Sequence, residues 1–261
     1  MKKMVGIMLL LCSIMPFTAC TSTEDEPYKP ETEQPSDDPN NNEEEDNDTT
    51  PVYGHLTTAN TVSDVVNHEA FNEFGRFILP AERSYNVNMT LQNVASMLPY
   101  HNYITGERAV ETINTMVDYV HDGNTLFYDI YSDADKQADS RKNNTGLFFF
   151  RGEPGKPFAI VCPGGGFSYV GAIHEGFPLA IALSKMGYNA FSIQYRTGGA
   201  QVACEDLAGA IDFIMRHAEE LQVSTDDYSL WGGSAGARMA AYLGSYGTQG
   251  FISCLLYTSP S

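Results

Sequence analysis

The chain has 261 residues, more than one domain of ordinary size, and carries 33 acidic against 15 basic side chains for a net charge of −18. Neither that balance nor any basic cluster favours nucleic acid as a partner. Its 5 cysteines form no disulfide framework and have no metal-ligand spacing to a histidine, so no metal and no cofactor is expected.

Residues 1–20 read as an export leader: Lys2 and Lys3 give a positive start, residues 5–15 a short apolar core, and Thr18 and Ala19 are small residues ahead of Cys20. The apolar core is too short for a membrane-spanning helix. Phe17-Thr18-Ala19-Cys20 resembles a bacterial lipobox, in which a lipid is attached to the cysteine and cleavage makes it the new N-terminus; an ordinary secretory leader cut near Ala19 is the alternative. Residues 21–52, with acids throughout and Lys29 as the single base, form a disordered acidic linker that carries most of the net charge. Thr23-Glu24-Asp25-Glu26 resembles the surface-export signals of some Gram-negative lipoproteins, and a plain solvated tether fits equally well. The expected location is therefore the cell envelope, periplasmic or at the outer surface, with the lipid anchor as the only membrane contact.

Residues 53–104 are an N-terminal extension with weak helix and strand signals, expected to cover a cleft or an edge of a sheet. From residue 105 to 253 the pattern is that of an α/β domain. Val110, Ile113, Val117 and Val120 recur at helical spacing. Strand-like runs follow at residues 126–131 and 147–150, and the two can pair as a hairpin. Next come a strand at 158–162, a helix at 177–186 closed by Gly187, and a strand at 189–195. A long helix at 201–221 shows Leu207, Ile211, Ile214 and Met215 on one face, and a strand at 228–232 leads into a helix from about residue 235. This alternation with short connections predicts a mostly parallel sheet with helices on both faces. Cys162 ends an apolar run and reads as a buried thiol.

Two glycine-rich turns carry the chemistry. Gly232-Gly233-Ser234-Ala235-Gly236 contains G-x-S-x-G between a strand and a helix, a context far more specific than the five residues alone. So tight a turn needs small neighbours and presents the Ser234 hydroxyl at the carboxyl end of the sheet, at a helix N-terminus that favours developing negative charge. Pro163-Gly164-Gly165-Gly166-Phe167 also ends a strand, two strand–helix units earlier. Glycines leave backbone N–H groups open to an oxyanion; read alone, the triplet is equally a flexible loop or a weak phosphate cradle. His174 and Glu175 follow that loop and are candidates to line a substrate cleft, or are a solvated pair. Asp206 and Asp212 on the long helix read as exposed charges, and Arg238 as an anchor from the serine helix to a nearby loop.

Together with Asn189-Ala190-Phe191-Ser192-Ile193-Gln194-Tyr195-Arg196, these motifs resemble the acetyl-esterase and feruloyl-esterase-like branch of the α/β-hydrolases over about residues 105–248. The resemblance implies an α/β-hydrolase fold, Ser234 as nucleophile, and an oxyanion hole from the N–H groups of Gly165, Gly166 and Ala235. It implies a carboxylic-ester hydrolase for short-chain or aromatic acyl groups, with acylated polysaccharide or oligosaccharide as a fitting partner. A serine peptidase of the same fold and a catalytically dead surface binding protein are the alternatives. In this fold the triad acid and histidine follow the serine. Residues 235–261 contain no His, Asp or Glu, and His55, His68, His101, His121, His174 and His217 all precede Ser234. The fold is therefore expected to be incomplete at the C-terminus and the printed chain inactive, with residues 254–261 a suspect non-native tail.

Overall fold

The computed structural model describes residues 54–80, 82–97 and 104–252. The leader with Cys20, the acidic linker and the tail at 254–261 lie outside the described residues.

The extension contains one short helix, α1 (Val62–Val66), whose start is fixed by a capping box between Thr61 and Asp64. Two 3-10 segments follow, Asn72–Phe77 and Leu91–Met97. Helix α2 (Gly106–His121) starts where the Thr105 hydroxyl accepts the Arg108 N–H. Its buried face is Ala109, Ile113, Met116 and Val117, at i, i+4, i+7 and i+8, so the expected face is rotated: Val110 and Val120 are only half-buried.

Strand β1 is just Phe127–Tyr128. The expected strand to residue 131 is cut short because a capping box between Ser132 and Asp135 opens helix α3 (Asp133–Ala138), and because the Tyr131 hydroxyl turns inward to Asp206. Strand β2 (Gly146–Phe150) pairs antiparallel with β1, Phe127 opposite Phe148. Strand β3 (Pro157–Cys162), helix α4 (Phe177–Lys185) and strand β4 (Asn189–Gln194) follow.

The long helix is broken in two, α5 (Ala200–Arg216) and α6 (Ala218–Leu221). His217 sits between them, its ring stacked on Phe213 and its Nδ1 2.8 Å from the Phe213 carbonyl oxygen. Strand β5 (Ser224–Gly232) begins four residues earlier than expected. A register shift there leaves Thr225, Asp226 and Asp227 exposed while Tyr228 pairs with Phe158. Helices α7 (Ser234–Tyr246) and α8 (Gln249–Ile252) complete the described chain.

The sheet order is β1-β2-β4-β3-β5, with β3 parallel to β4 and β5 and with β1–β2 and β2–β4 antiparallel. Every residue of β2 and β4 is buried, as central strands covered on both faces require. The extension is built into this core. Phe74 stacks on Phe127 at 5.2 Å and meets Phe148 edge-on at 5.8 Å, and Phe77 lies 5.7 Å from Phe127, so the segment covers the β1–β2 side of the sheet.

Candidate active site

The site lies at the carboxyl ends of two hydrogen-bonded neighbours. Cys162, the last residue of β3, pairs with Gly232, the last of β5, so the glycine loop and the serine turn leave the sheet side by side.

The serine turn is set by crowding. A Cβ on Gly236 would stand 1.8 Å from the Cys162 carbonyl oxygen, and one on Gly232 would stand 2.6 Å from the Gly236 carbonyl carbon and 2.8 Å from the Cys162 oxygen. With both neighbours stripped to hydrogen, the chain folds back from β5 into α7 within two residues, and Ser234 takes φ +49°, in the left-handed region. Strain in a non-glycine residue persists only where its surroundings impose it, and it concentrates at functional positions. Ser234 is exposed, and its hydroxyl makes no hydrogen bond with a described residue.

The glycine loop is set by backbone angles and polar ties. Gly165, Gly166 and Phe167 have φ of +135°, +62° and +59°. Phe167 is held in that conformation by its buried ring, edge-on to Tyr195 at 6.4 Å, and by its carbonyl accepting the Gly198 N–H at 2.9 Å. The Tyr195 hydroxyl in turn donates to the Pro163 carbonyl at 2.8 Å. The N–H groups of Gly165, Gly166 and Ala235 donate to no described acceptor, which leaves three backbone donors beside the Ser234 turn.

The two residues that follow the loop lie side by side, His174 Nε2 3.8 Å from Glu175 Oε1. His174 is buried, with no side-chain surface, and the groove it borders, about 380 Å³ between α2 and α4, is lined by Arg108, Pro178 and Ile181 and not by Ser234. Glu175 keeps a sliver of surface, 13% of its side chain, and turns its carboxylate to backbone, accepting the Gly164 N–H at 2.5 Å. Among the described residues no histidine hydrogen-bonds to Ser234; His55, for instance, sits 2.6 Å from Asp118 on α2.

Asp206, expected to be an exposed charge, is fully buried. The correction has a clear cause: its carboxylate accepts the Tyr131 hydroxyl at 2.6 Å, the Arg196 N–H at 2.6 Å and the Arg196 guanidinium at 2.8 and 2.9 Å. Burial pushes this carboxyl above the ordinary carboxylate range, against the pull of Arg196. Burial likewise raises the Tyr131 phenol, with the Asp206 charge adding to it. Asp212 is half-exposed and pairs with Arg216 one helical turn on. Arg238 is exposed, its guanidinium 5.5 Å from the Phe167 ring centroid and its Nη2 3.3 Å from the Tyr242 hydroxyl.

Sequence patterning gave no hint of Glu82. It reaches in from the extension, accepting the Val170 N–H at 3.4 Å and the Gln194 side-chain amide at 3.1 Å, so it ties the far end of the glycine loop to β4. A lone Glu in a segment without period offers no signal that could have found it. It also borders a cavity of about 330 Å³ with Arg76, Phe77, Arg141, Arg196 and Thr197.

A five-stranded sheet of this order, with a strained serine at the β5–α7 turn beside a glycine loop on the adjacent strand, has the α/β-hydrolase fold. Residues 151–254 match the BD-FAE family model, an esterase-like α/β-hydrolase family. Among solved structures, the apo form of Thermogutta terrifontis esterase 2 is 26% identical over 37% of this chain and 40% of its own, with a TM-score of 0.35. A sugar hydrolase from Lactococcus lactis is 26% identical over 38% of this chain and 42% of its own, again with a TM-score of 0.35. The chain thus spans about two-fifths of the length of these structures. Among curated proteins none matches the sequence.

Proposed function

We propose that this protein is a serine carboxylic-ester hydrolase in which Ser234 forms an acyl intermediate. The observation that carries the reading is the left-handed, exposed Ser234 at the start of α7, with three unengaged backbone donors close by. In the reaction the Ser234 oxygen attacks the acyl carbonyl carbon while a general base takes its proton. The carbonyl oxygen becomes an oxyanion held by the N–H groups of Gly165, Gly166 and Ala235, and the α7 N-terminus adds a field of the right sign. Collapse expels the alcohol, reprotonated from the base, and water then releases the acid from Ser234 by the same steps. The match of residues 151–254 to an esterase-like family supports this chemistry. The substrates are short-chain or aromatic acyl esters of polysaccharides or oligosaccharides, met at the cell envelope where a lipid on Cys20 tethers the chain. The motif resemblance and the export leader support that choice.

The test is hydrolysis of p-nitrophenyl acetate by the full-length protein. Ser234→Ala keeps the small side chain the turn needs and removes the attacking oxygen, so turnover should fall by about 10⁴-fold or more with the melting temperature unchanged. Equal turnover in the variant excludes Ser234 as nucleophile. For the anchor, a palmitate analogue should label the parent and not Cys20→Ala; label that persists in the variant removes that part of the reading.

A further inference from the structure

We propose that Glu175 is the positioning residue of the glycine loop, its carboxylate setting where the Gly165 and Gly166 N–H groups point relative to Ser234. The proposal deepens the oxyanion-hole reading above and rests on it.

Gly164 is held at both of its polar groups. Its N–H donates to Glu175 Oε2 at 2.5 Å, and its carbonyl accepts the Gly171 N–H at 2.9 Å. A peptide unit is planar and trans, so the Gly164 carbonyl and the Gly165 N–H are opposite ends of one rigid plate. Pinning the carbonyl to Gly171 therefore aims the Gly165 N–H the other way. The remaining freedom is rotation about the two Gly164 backbone bonds, and glycine restrains it weakly. Glu175 fixes the preceding plate and removes that freedom.

The carboxylate is placed for this task on both sides. A Cβ on Gly164 would lie 2.6 Å from Glu175 Oε2 and 3.1 Å from the Ser234 Cβ, so carboxylate and serine flank the same glycine. A Cβ on Gly233 would lie 3.2 Å from that same oxygen, so the carboxylate touches the serine turn as well as the loop. Glu175 itself is held by a π-helical turn, Ala172–Gly176, with its N–H donating to the Gly171 carbonyl at 2.9 Å. Such turns are rare and concentrate at functional sites. Gly171 thus anchors both Gly164 and Glu175, and the loop closes at its neck. The other carboxylate oxygen, Oε1, lies 3.8 Å from Nε2 of the buried His174. What the carboxylate supplies is a short, charge-assisted acceptor for one particular N–H.

The test uses the full-length protein labelled with ¹⁵N-glycine. In the parent the Gly164 amide proton should resonate well downfield. In Glu175→Ala it should move upfield and exchange faster, the Gly165 and Gly166 signals should shift with it, and Gly209 in α5 should stay in place. On p-nitrophenyl acetate kcat should fall about 100-fold, the cost of a misplacement near 1 Å, with KM little changed. Glu175→Gln, whose amide oxygen can still accept the N–H, should recover most of the loss. If the alanine variant loses signal dispersion throughout, Glu175→Asp, one methylene too short to reach, carries the same expectation. Unmoved Gly165 and Gly166 signals, an unchanged kcat, or a glutamine variant as slow as alanine would each overturn the proposal. A parent with no hydrolysis would sink the esterase reading alone, since the glycine signals would still decide whether Glu175 sets the loop.

Discussion

The serine turn and the glycine loop are both rich in glycine, yet their glycines are needed for different reasons. At the serine turn the reason is space: any side chain at 232 or 236 runs into the backbone of β3 or of α7. In the loop conformation is added to space: a Cβ on Gly165 would lie 2.0 Å from the Tyr169 carbonyl oxygen, whereas one on Gly166 meets nothing within 4 Å and only its φ of +62° calls for glycine. Crowded backbone gives a turn that is rigid by exclusion and needs no polar support. A loop with successive positive φ values must also be held by hydrogen bonds from outside, and here Glu175, Gly198, Tyr195 and Glu82 supply them. The nucleophile is thus placed by packing, and the donors beside it by polar contacts that reach from the extension, from the turn before α4 and from the segment after β4.

Substitutions separate the two kinds of support, and the largest effect belongs to the polar kind. Asp206→Ala takes from Arg196 its buried carboxylate, just before the Thr197-Gly198 segment that holds Phe167, and leaves it Asp139 at 2.9 Å and Glu205 at 3.2 Å. Urea unfolding should show a loss of about 3–5 kcal/mol, as for other broken buried pairs. A loss under about 1 kcal/mol would mean that the pair is not needed behind the loop. Gly236→Ala attacks the packed side of the comparison. With its Cβ 1.8 Å from a carbonyl oxygen the strand–helix junction must shift, costing about 3 kcal/mol and most of the hydrolysis.

Gly166→Ala probes conformation without crowding. The penalty should be only about 1–2 kcal/mol in stability, the cost of a Cβ in the left-handed region. A cost equal to that of Gly236→Ala would erase the distinction between the two turns. The smallest effect concerns pH. Burial raises the Glu82 carboxyl above its ordinary value of 4.5, so the folded state favours the protonated form. Its contribution is fully present below the unfolded value and is lost as pH rises through the folded one. Melting temperatures of Glu82→Gln relative to the parent should therefore improve from about pH 4 to about pH 7; a flat difference would place the Glu82 carboxyl in water.

What the sequence determined by itself is what local rules encode. Alternating apolar runs and helical spacings announce β3, α4, β4, α5 and β5, and a serine between glycines after a strand announces the turn, because the turn's sterics act within five residues. Tertiary structure decided the rest, through contacts between residues far apart in the chain. Asp206 looks like any helix surface acid until Tyr131, 75 residues away, and Arg196 close around it. The extension shows no period because its side chains fill gaps against Phe127 and Phe148 one at a time and do not form a regular face. Glu175 reads as a cleft-lining or a solvated loop residue and not as a support of the loop, since nothing in its neighbours reveals that the loop folds back to put the Gly164 N–H within its reach. Propensity and periodicity are properties of a short stretch of chain, whereas burial of a charge and the aim of a backbone N–H depend on which distant segments meet.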